Sequence, residues 1–231
     1  MSKIPNYKII IIGESNSLIK LIINIFIIGM VGKTSISTRF IKGKFVKIDI
    51  SNRTVNTNCY QKRIQINDSI FNLNIWDTAG EEKYHAMAPI FYRGAQGAVV
   101  IFDVTNRETF KRATKWFSEL SEFAEGNPKI ILVGNKIDLP NRVITNDEAT
   151  ALANKYKCNF LEVSALLGTN VNEIFNSLTM AIYQGTKNMD QEIGKDLDDN
   201  NYSYGNKRGK KFNIVSNVDN TVSANRKGGC C

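Results

Sequence analysis

Short apolar runs alternate with segments of helical periodicity between about Tyr7 and Gln184, and this alternation constrains the fold more than any other feature. Ala98–Asp103 and Lys129–Gly134 are short and almost wholly apolar, as strands buried on both faces of a sheet are. Between them, apolar residues recur at helical spacing at Phe110, Ala113, Phe117, Leu120 and Phe123. This alternation predicts an α/β fold with a mainly parallel sheet and helices on both of its faces.

The remaining elements of the fold are predicted from the same kinds of pattern. Lys8–Ile12 is a short apolar run that ends at a glycine, and Thr34–Ile41 has a helical pattern. Tyr60–Ile66 and Ile70–Trp76 flank Asn67-Asp68-Ser69, which is typical of a hairpin turn. Ligands of such sheets bind beyond the carboxyl ends of the strands, so polar residues there are the first candidates for a site.

The character of the sequence changes near Gly185. Beyond it Asp, Asn, Gly, Lys and Ser dominate, and no apolar period survives. We therefore interpret 7–184 as one domain and 185–231 as a flexible, disordered tail.

Composition narrows the class of partner. The formal net charge of +8 favours anionic partners such as nucleotide phosphates or acidic lipid headgroups. Nucleic acid is not an expected partner, because no run of Lys and Arg exceeds two residues. Among the four cysteines, Cys59 and Cys158 are predicted to be reduced core thiols, and no spacing suggests zinc. Ile9–Val31 is apolar but carries Glu14 and Lys20, which makes it a poor transmembrane helix.

Three short polar motifs follow predicted strands. Asp77 begins Asp77-Thr78-Ala79-Gly80, where an Asp can hold magnesium through water and a Gly lets a backbone N–H approach a phosphate. In Asn135-Lys136-Ile137-Asp138, the last carboxylate can accept two hydrogen bonds from guanine, which adenine cannot supply. Ser164-Ala165-Leu166 is suited to a backbone contact at the guanine oxygen.

A fourth motif, a phosphate-binding loop, is split in two. Gly13-Glu14-Ser15-Asn16 and Val31-Gly32-Lys33-Thr34 read GESNVGKT when joined, which is the full pattern G-x-x-x-x-G-K-T. In such a loop backbone N–H groups face phosphate oxygens, the lysine reaches the outer phosphates and the threonine hydroxyl binds magnesium. A kinase or ATPase loop would share Gly32-Lys33-Thr34, but it has no reason to occur together with the guanine-type motif.

The order of these motifs resembles that of small GTPases from about Tyr7 to Gln184. Lys83–Pro89, Phe91–Ala95, Phe102–Thr105 and Cys230-Cys231 are similar to Rab proteins, the first most of all to their early-endosomal branch. The resemblance implies a six-stranded P-loop GTPase fold, binding of GTP, GDP and Mg²⁺, and slow hydrolysis of GTP to GDP. It also implies a switch that regulates vesicle trafficking by recruiting effectors in its GTP-bound state.

The resemblance also assigns roles to single residues. The residues that match nucleotide-binding positions are Gly13, Glu14, Ser15, Asn16, Val31, Gly32, Lys33, Thr34, Phe45, Thr54, Asp77, Gly80, Asn135, Lys136, Asp138, Ser164, Ala165 and Leu166. Among them Thr34, Thr54 and Asp77 match magnesium ligands, and Phe45 matches the aromatic residue that packs on guanine.

Several positions depart from the family pattern. Glu81 stands at the catalytic position, where the family has the glutamine that orients the attacking water. A carboxylate accepts a hydrogen bond from water but cannot donate one toward phosphoryl oxygens, so we expect altered hydrolysis. Leu166 replaces the usual lysine beside the base. The stretch from Val46 to Thr54 is longer than usual, and Asn56 replaces an expected glycine. Both departures fall in the first of the two surface switches that the resemblance implies.

The resemblance further implies partners and a place of action. Cys230 and Cys231 match a site of double geranylgeranylation, and two lipid chains anchor a protein far better than one. The implied partners are a guanine-exchange factor, a GTPase-activating protein, effectors, a Rab escort protein and a GDP-dissociation inhibitor. The implied location is the cytoplasmic face of an intracellular membrane, with endosomes favoured, or of the plasma membrane, with a cytosolic pool.

The fourteen residues 17–30 interrupt the phosphate loop, and three interpretations follow. We favour a retained intron or gene-model error, because the segment is in frame and is dominated by Ile with Asn, Lys, Leu and Phe, as translated A/T-rich DNA would be, and its removal restores the motif. Alternatively, the chain is a lipid-anchored interaction module with impaired nucleotide binding, or it binds GTP with the loop displaced. Ile22–Ile28 could also replace Lys8–Ile12 as the first strand, but a phosphate loop would then be two residues short.

Overall fold

The computed structural model describes residues 4–13, 31–47, 57–78 and 92–199, with side chains up to residue 188. The chain divides into two compact units, Met1–Asp190 and Gln191–Cys231. All strands that the structure describes belong to the first unit. Of the second, the structure describes only helical backbone as far as Asp199.

Six strands form one sheet in the described part of the chain, in the spatial order β2-β3-β1-β4-β5-β6. They are β1 (Asn6–Gly13), β2 (Asn58–Ile66), β3 (Ser69–Asp77), β4 (Gly97–Asp103), β5 (Lys129–Asn135) and β6 (Asn159–Val163). Of the five neighbouring pairs, only β2 with β3 is antiparallel. The predicted α/β fold with a mainly parallel six-stranded sheet is confirmed.

The first strand settles one of the alternatives. β1 lies between β3 and β4, and its residues Ile9–Ile12 are at most 2% exposed. A strand in the middle of a parallel sheet is covered on both faces, which explains why this run is apolar without alternation. Lys8–Ile12 therefore supplies the first strand, and Ile22–Ile28 lies outside the described residues.

Four helices in the described segments cover the two faces of the sheet. They are α1 (Lys33–Lys42), α2 (Arg107–Phe123), α3 (Asn146–Lys155) and α4 (Val171–Asp199). Ile9 and Ile11 of β1 join a core with residues of α1 and α4, whereas Ile10 and Ile12 join a second core with residues of α2 and α3. Successive strand residues point to opposite faces, so one strand serves both cores.

The last helix is longer than the sequence predicts. α4 continues past the predicted domain boundary at 184–185 to Asp199. The structure thus describes helical backbone for 185–199, which the sequence analysis did not predict; 200–231 lies outside the described residues, and the flexible tail stays a prediction. Met189, Ile193 and Leu197 recur every four residues in this stretch, a sparse apolar spacing that the prediction overlooked. None of the described helices combines the length and apolar character that a membrane span needs.

The prediction of two core thiols is wrong for Cys59. This residue is exposed on β2, at the edge of the sheet, where alternate residues face solvent. Cys158 is half-buried, and burial raises the pKa of its thiol to about 11. Since a thiol reacts as its thiolate, the two cysteines differ in reactivity for reasons that only the fold reveals.

Candidate functional site

The carboxyl end of β1 lies against the start of α1. Lys33 Nζ donates to the Gly13 carbonyl oxygen over 2.9 Å, and Lys33 is only 7% exposed. A Cβ atom on Gly13 would lie 2.6 Å from the Ile101 carbonyl oxygen and 2.9 Å from Val31 Cγ2, so only glycine fits here. The structure thus brings together Gly13, Val31 and Lys33, from both halves of the split motif.

The amino end of α1 has no side-chain cap. Gly32 stands at its N-cap with a left-handed φ of 93°, and no acidic residue lies in the first turn. In contrast, side chains of Asn106 and Thr145 cap α2 and α3. Uncapped N–H groups at a helix start are strong donors, and the helix dipole adds positive potential. The start of α1, with Lys33 in it, suits an anion such as a phosphate group.

Asn135 links this helix start to the loop that follows β6. Its Nδ2 donates to the Val31 carbonyl oxygen over 2.8 Å, and its Oδ1 accepts from the Ala165 N–H over 3.1 Å. Asn135 is 1% exposed, at the end of β5. A Cβ atom on Gly32 would lie 2.4 Å from Asn135 Nδ2, which explains a glycine there. Both the donor nitrogen and the acceptor oxygen of one side-chain amide are therefore used to hold two loops at the same edge of the sheet.

Asp77 ends β3 close to the start of α1. It is fully buried, and neither carboxylate oxygen has a hydrogen-bond partner of normal geometry among the described residues. Burial raises the pKa of Asp77, while the nearby Thr34 hydroxyl, Lys33 ammonium and Ser37 hydroxyl act in the opposite direction. A buried carboxylate without full hydrogen bonding is costly unless a cation neutralises it. Together with the Thr34 hydroxyl, this oxygen-only donor set fits Mg²⁺.

Asp138 is held by the loop after β6. Its Oδ1 accepts from Ser164 Oγ over 2.5 Å, and Ser164 Oγ in turn accepts from the Leu167 N–H over 3.0 Å. Ser164 is fully buried, whereas Asp138 is half-buried. One carboxylate oxygen is thus fixed by the protein, and the carboxylate keeps further acceptor capacity for a ligand.

Lys136 is paired with an acidic residue on the neighbouring strand. Its Nζ lies 2.5 Å from Oδ2 of Asp103, which is 4% exposed at the end of β4. The other oxygen of Asp103 accepts from the N–H and the hydroxyl of Thr105, over 2.9 and 2.7 Å. Lys136 also has a positive φ of 70°. Its aliphatic stem is therefore fixed at the end of β5 by a well-anchored carboxylate.

The remaining predicted base contacts differ in how they are placed. The Ala165 N–H, predicted to face the guanine oxygen, already donates to Asn135, so a base would share that donor or use a neighbouring N–H. Leu166 is 47% exposed and Leu167 is 68% exposed. Phe45 is half-buried and packs against the core beneath α1 and α4.

Some predicted site residues lie outside the described residues. They are Glu14, Ser15, Asn16, Thr54, Gly80, Glu81, Cys230 and Cys231, together with the interruption 17–30. Their roles stay predictions.

Two charged residues in this region were not predicted from the sequence. Asp103 lies directly opposite Asn135 in the β4–β5 register, so an acidic residue at a strand end next to the motif was a usable signal. Arg39 donates from α1 to carbonyl oxygens of the loop after β6. Nothing in the local pattern of the sequence indicated that contact, because it joins residues more than one hundred positions apart.

Comparison with known proteins agrees with this geometry. A model of the Ras family matches residues 24–184. The chain is also 36% identical over 196 residues to the Ras-related protein Rab5A of Oryza sativa subsp. japonica, covering 84% of this chain and 88% of that protein. The chain belongs to the Rab family of small GTPases. Its pattern is that of the early-endosomal branch, as the resemblance implied.

Membership carries general properties to this Rab chain. It supports a role in vesicle trafficking, binding of GTP and GDP and in general of Mg²⁺, and interplay with regulators and effectors. One detail of the comparison differs from the structure. The family match begins at residue 24, within the interruption, whereas the strand in the first position of the fold is Asn6–Gly13.

Proposed function

We propose that this chain is a GTP/GDP switch that binds its nucleotide with Mg²⁺ at the edge of the sheet and acts at a membrane surface. The observation that carries the proposal is the position of Asn135. Its side-chain amide holds Val31 through the nitrogen and Ala165 through the oxygen. A guanine nucleotide needs a phosphate subsite and a base subsite at a fixed separation, and one buried side chain links the segments proposed for both.

The phosphate groups bind, in this proposal, at the start of α1. Uncapped N–H groups and the Lys33 ammonium supply the positive potential, and Gly13 and Gly32 let the backbone come close. Glu14, Ser15 and Asn16 complete the loop by family resemblance. Because Lys33 is already fixed by the Gly13 carbonyl oxygen, little side-chain freedom is lost when a phosphate binds.

Thr34 and Asp77 would hold Mg²⁺, with Thr54 as a third ligand by family resemblance. The ion, when bound, neutralises phosphate charge. The support from this chain is the Asp77 carboxylate, buried and incompletely hydrogen-bonded. Gly80, three residues after Asp77, matches the position whose backbone N–H meets a terminal phosphate.

Asp138 reads the base in this proposal. Ser164 fixes one of its oxygens, which orients the carboxylate toward the N1–H and 2-amino edge of guanine. Lys136 flanks the base with its stem, held by Asp103, while Phe45 and Leu166 supply apolar contacts. Adenine would leave the Asp138 carboxylate unpaired, so we expect a strong preference for guanine.

We propose that hydrolysis of GTP is slow and responds abnormally to activating proteins. Glu81 stands where a glutamine normally orients water, and a carboxylate places negative charge beside an anionic transition state. The proposed regulators are a guanine-exchange factor and a GTPase-activating protein, and effectors bind the GTP-bound form.

The proposed membrane attachment uses geranylgeranyl groups on Cys230 and Cys231. Nearby basic residues add attraction to an anionic leaflet of about 1 kcal/mol each, and they are Lys207, Arg208, Lys210 and Lys211. A Rab escort protein would present the chain for lipidation, and a GDP-dissociation inhibitor would maintain a cytosolic pool. The cytoplasmic face of endosomes is the proposed location, following the similarity to Rab5A.

A second candidate is a lipid-anchored interaction module with impaired nucleotide binding. Residues 17–30 split the phosphate loop at its centre, and the family match begins only within them. This observation favours impaired nucleotide binding, even though the residues on the two sides of the interruption together supply the full phosphate-loop pattern.

Equilibrium binding to the purified 231-residue chain decides between these candidates. We would strip bound nucleotide, add fluorescent GDP with Mg²⁺, and compete it with GTP and with ATP. A chain from which residues 17–30 are deleted serves as the matched comparison. Displacement by GTP but not by ATP supports the switch, whereas displacement by ATP alone would point to a different class of P-loop protein.

Each other outcome also has a meaning. If only the deleted chain binds GDP, the full chain is the impaired module. If neither folded chain binds, the switch proposal is rejected for both. Sequencing of the mature transcript across codons 16–31 tests the gene-model explanation, and a message that retains those codons excludes it.

A further inference from the structure

Arg39 reaches from the second turn of α1 to the loop that follows β6. Its Nε donates to the Ala165 carbonyl oxygen over 3.0 Å, and its Nη2 donates to the Leu166 carbonyl oxygen. Its Nη1 lies 3.3 Å from the carbonyl oxygen of Gly43, the residue that caps the end of α1. One guanidinium therefore contacts two consecutive carbonyl groups of the loop and the end of its own helix.

The loop that Arg39 contacts is buried at Ala165 and exposed at its tip. Leu166 and Leu167 are exposed, so the tip of the loop has no apolar anchor of its own. Gly168 has a left-handed φ of 84°, and a Cβ atom there would lie 3.5 Å from Arg39 Nε, so the guanidinium follows the turn at contact distance. On its inner side the loop is fixed by Asn135 and by Ser164.

Arginine is the side chain that suits this geometry. Its planar guanidinium carries five N–H donors in a rigid fork, whereas a lysine ammonium donates from a single point. Two adjacent carbonyl groups and a third at the end of α1 cannot all be reached from one ammonium. Hydrogen bonds with a charged donor are also stronger than neutral ones, so they can decide the position of a loop whose tip lacks apolar anchors.

We infer that Arg39 is a positioning residue for the base-contacting loop: it fixes the 165–166 backbone against α1, and through it the N–H groups that face the guanine oxygen. This inference rests on the proposed nucleotide-binding function for its last step. The same helix begins at the phosphate subsite and ends at Gly43, two residues before Phe45. Arg39 thereby holds the base subsite in register with the helix that carries the phosphate subsite.

The first test measures amide hydrogen exchange in the full chain without nucleotide. Arg39→Gln removes the fork, and we expect exchange of the 165–168 amides to accelerate about tenfold, the effect of losing a charge-assisted hydrogen bond. Arg39→Lys should give an intermediate rate. Arg63→Gln is the matched control, because Arg63 is an exposed arginine on β2 that donates to Asn72 Oδ1 over 3.3 Å. Unchanged exchange at 165–168 in both Arg39 variants would overturn the inference.

The second test separates positioning from general loosening. It compares the release of GDP with the release of 6-thioguanosine diphosphate, which keeps the N1–H and the 2-amino group but carries sulfur, a weaker acceptor, in place of the guanine oxygen. If Arg39 acts through the loop N–H groups, Arg39→Gln speeds release of GDP about tenfold and release of the analogue less than about threefold. Equal acceleration of both ligands would mean that Arg39 merely stabilises the fold, and it would overturn the inference.

Failure of the function and failure of the inference give different results. If the unaltered chain binds neither ligand, the switch proposal fails, and the exchange rates alone decide whether Arg39 positions the loop. If Arg39→Gln does not fold, Arg39→Lys replaces it in both tests. A folded Arg39→Lys chain with exchange and release rates equal to those of the unaltered chain would then overturn the inference.

Discussion

The starts of helices α1 and α3 differ in how their first turns are capped. At α3, the Thr145 hydroxyl accepts from the Glu148 N–H while the Glu148 carboxylate accepts from the Thr145 N–H, and Asp147 adds a negative charge in the first turn. At α1, Gly32 occupies the N-cap, no side chain caps the helix, and no acidic residue lies in the first turn. One helix start is capped by side chains of its own sequence, whereas the N-cap residue of the other provides no side-chain cap.

The difference separates stability from binding. The capping box of α3 stabilises the helix and leaves it no affinity for an anion. The start of α1 forgoes that stabilisation, and it adds the cost of Asp77, a buried carboxylate without normal hydrogen-bond partners. Such uncompensated groups persist where a ligand pairs with them. Substitutions at α1 should therefore change nucleotide affinity, and substitutions at α3 should change only the free energy of unfolding.

The largest effect is expected from Gly32→Ala. The new Cβ would lie 2.4 Å from Asn135 Nδ2, at a φ of 93° that side chains disfavour. We expect a loss of about 3 kcal/mol in the free energy of unfolding, from overpacking and backbone strain together, measured by urea denaturation. Gly126→Ala is the control, since Gly126 also has a positive φ, of 80°, with nothing within 4 Å. Equal losses for the two would show that Asn135 yields to the methyl group.

The next effect is expected from Lys33→Met, which keeps the apolar stem and removes the ammonium. The affinity for GDP should fall about 100-fold, because a buried charge that pairs with phosphate is lost. Lys44→Met is the control, since Lys44 is exposed just beyond α1. Titration with fluorescent GDP measures both, and an unchanged affinity would mean that the start of α1 is not the phosphate subsite.

Asp77→Asn tests whether the buried Asp77 carboxylate lowers the free energy of unfolding when no nucleotide is bound. Burial raises the pKa of Asp77, so the folded state binds this proton more tightly than the unfolded state does. The folded chain is therefore relatively favoured below the unfolded pKa and loses that advantage as pH rises through the raised pKa. Without nucleotide at pH 7, Asp77→Asn should stabilise the chain by about 1 kcal/mol or more.

The gain from Asp77→Asn should shrink as pH falls through the raised pKa of Asp77, because the native carboxyl is then protonated and no longer carries a buried charge. Thermal unfolding without ligand at pH 7 and pH 4 measures this. Mg²⁺-dependent GTP binding should weaken in the same variant, so stability and affinity change in opposite directions. A variant that is less stable than the native chain at pH 7 would show that the Lys33 ammonium and the Thr34 hydroxyl already compensate the Asp77 carboxylate.

Much of this architecture could be predicted from local pattern. Apolar runs indicated the buried strands, and the rule that ligands bind beyond strand ends placed Asp77, Asn135 and Ser164 at one edge of the sheet. The pattern failed where long-range contacts decide. Arg39 and Asp103 act through partners on distant elements, and exposed Cys59 depends on which strand lies at the edge of the sheet.

The end of the domain shows a different limit. Helix α4 extends past Gly185, where Met189, Ile193 and Leu197 still recur every four residues, and the predicted boundary overlooked this sparse apolar spacing. The spacing of a capping box does not by itself place a cap. Asn170 and Glu173 have the spacing of a capping box, yet Asn170 has a φ of 58° and its amide donates to the Glu162 carbonyl oxygen. The reciprocal box that the structure does contain is Thr145 with Glu148.

The smallest effect is therefore expected at α3, from Thr145→Ala. Loss of the cap should lower the free energy of unfolding by about 1 kcal/mol and leave GDP affinity unchanged. Thr114→Ala, at a half-buried position inside α2, is the control. A hydrogen bond from Arg107, with a further one from the Thr145 N–H, lowers the pKa of Glu148 to about 2. Stability that depends on this ionised carboxylate is present above its unfolded pKa and lost as pH falls toward 2.

The penalty of Thr145→Ala should shrink over that acidic range, because the box needs both partners. Urea denaturation at pH 7 and pH 3 compares the two chains, with GDP titration at pH 7 alongside. A change in GDP affinity from this substitution would break the separation between the two helix starts, since it would mean that α3 and the nucleotide site are energetically coupled. An unchanged affinity with reduced stability is what two independent helix starts require.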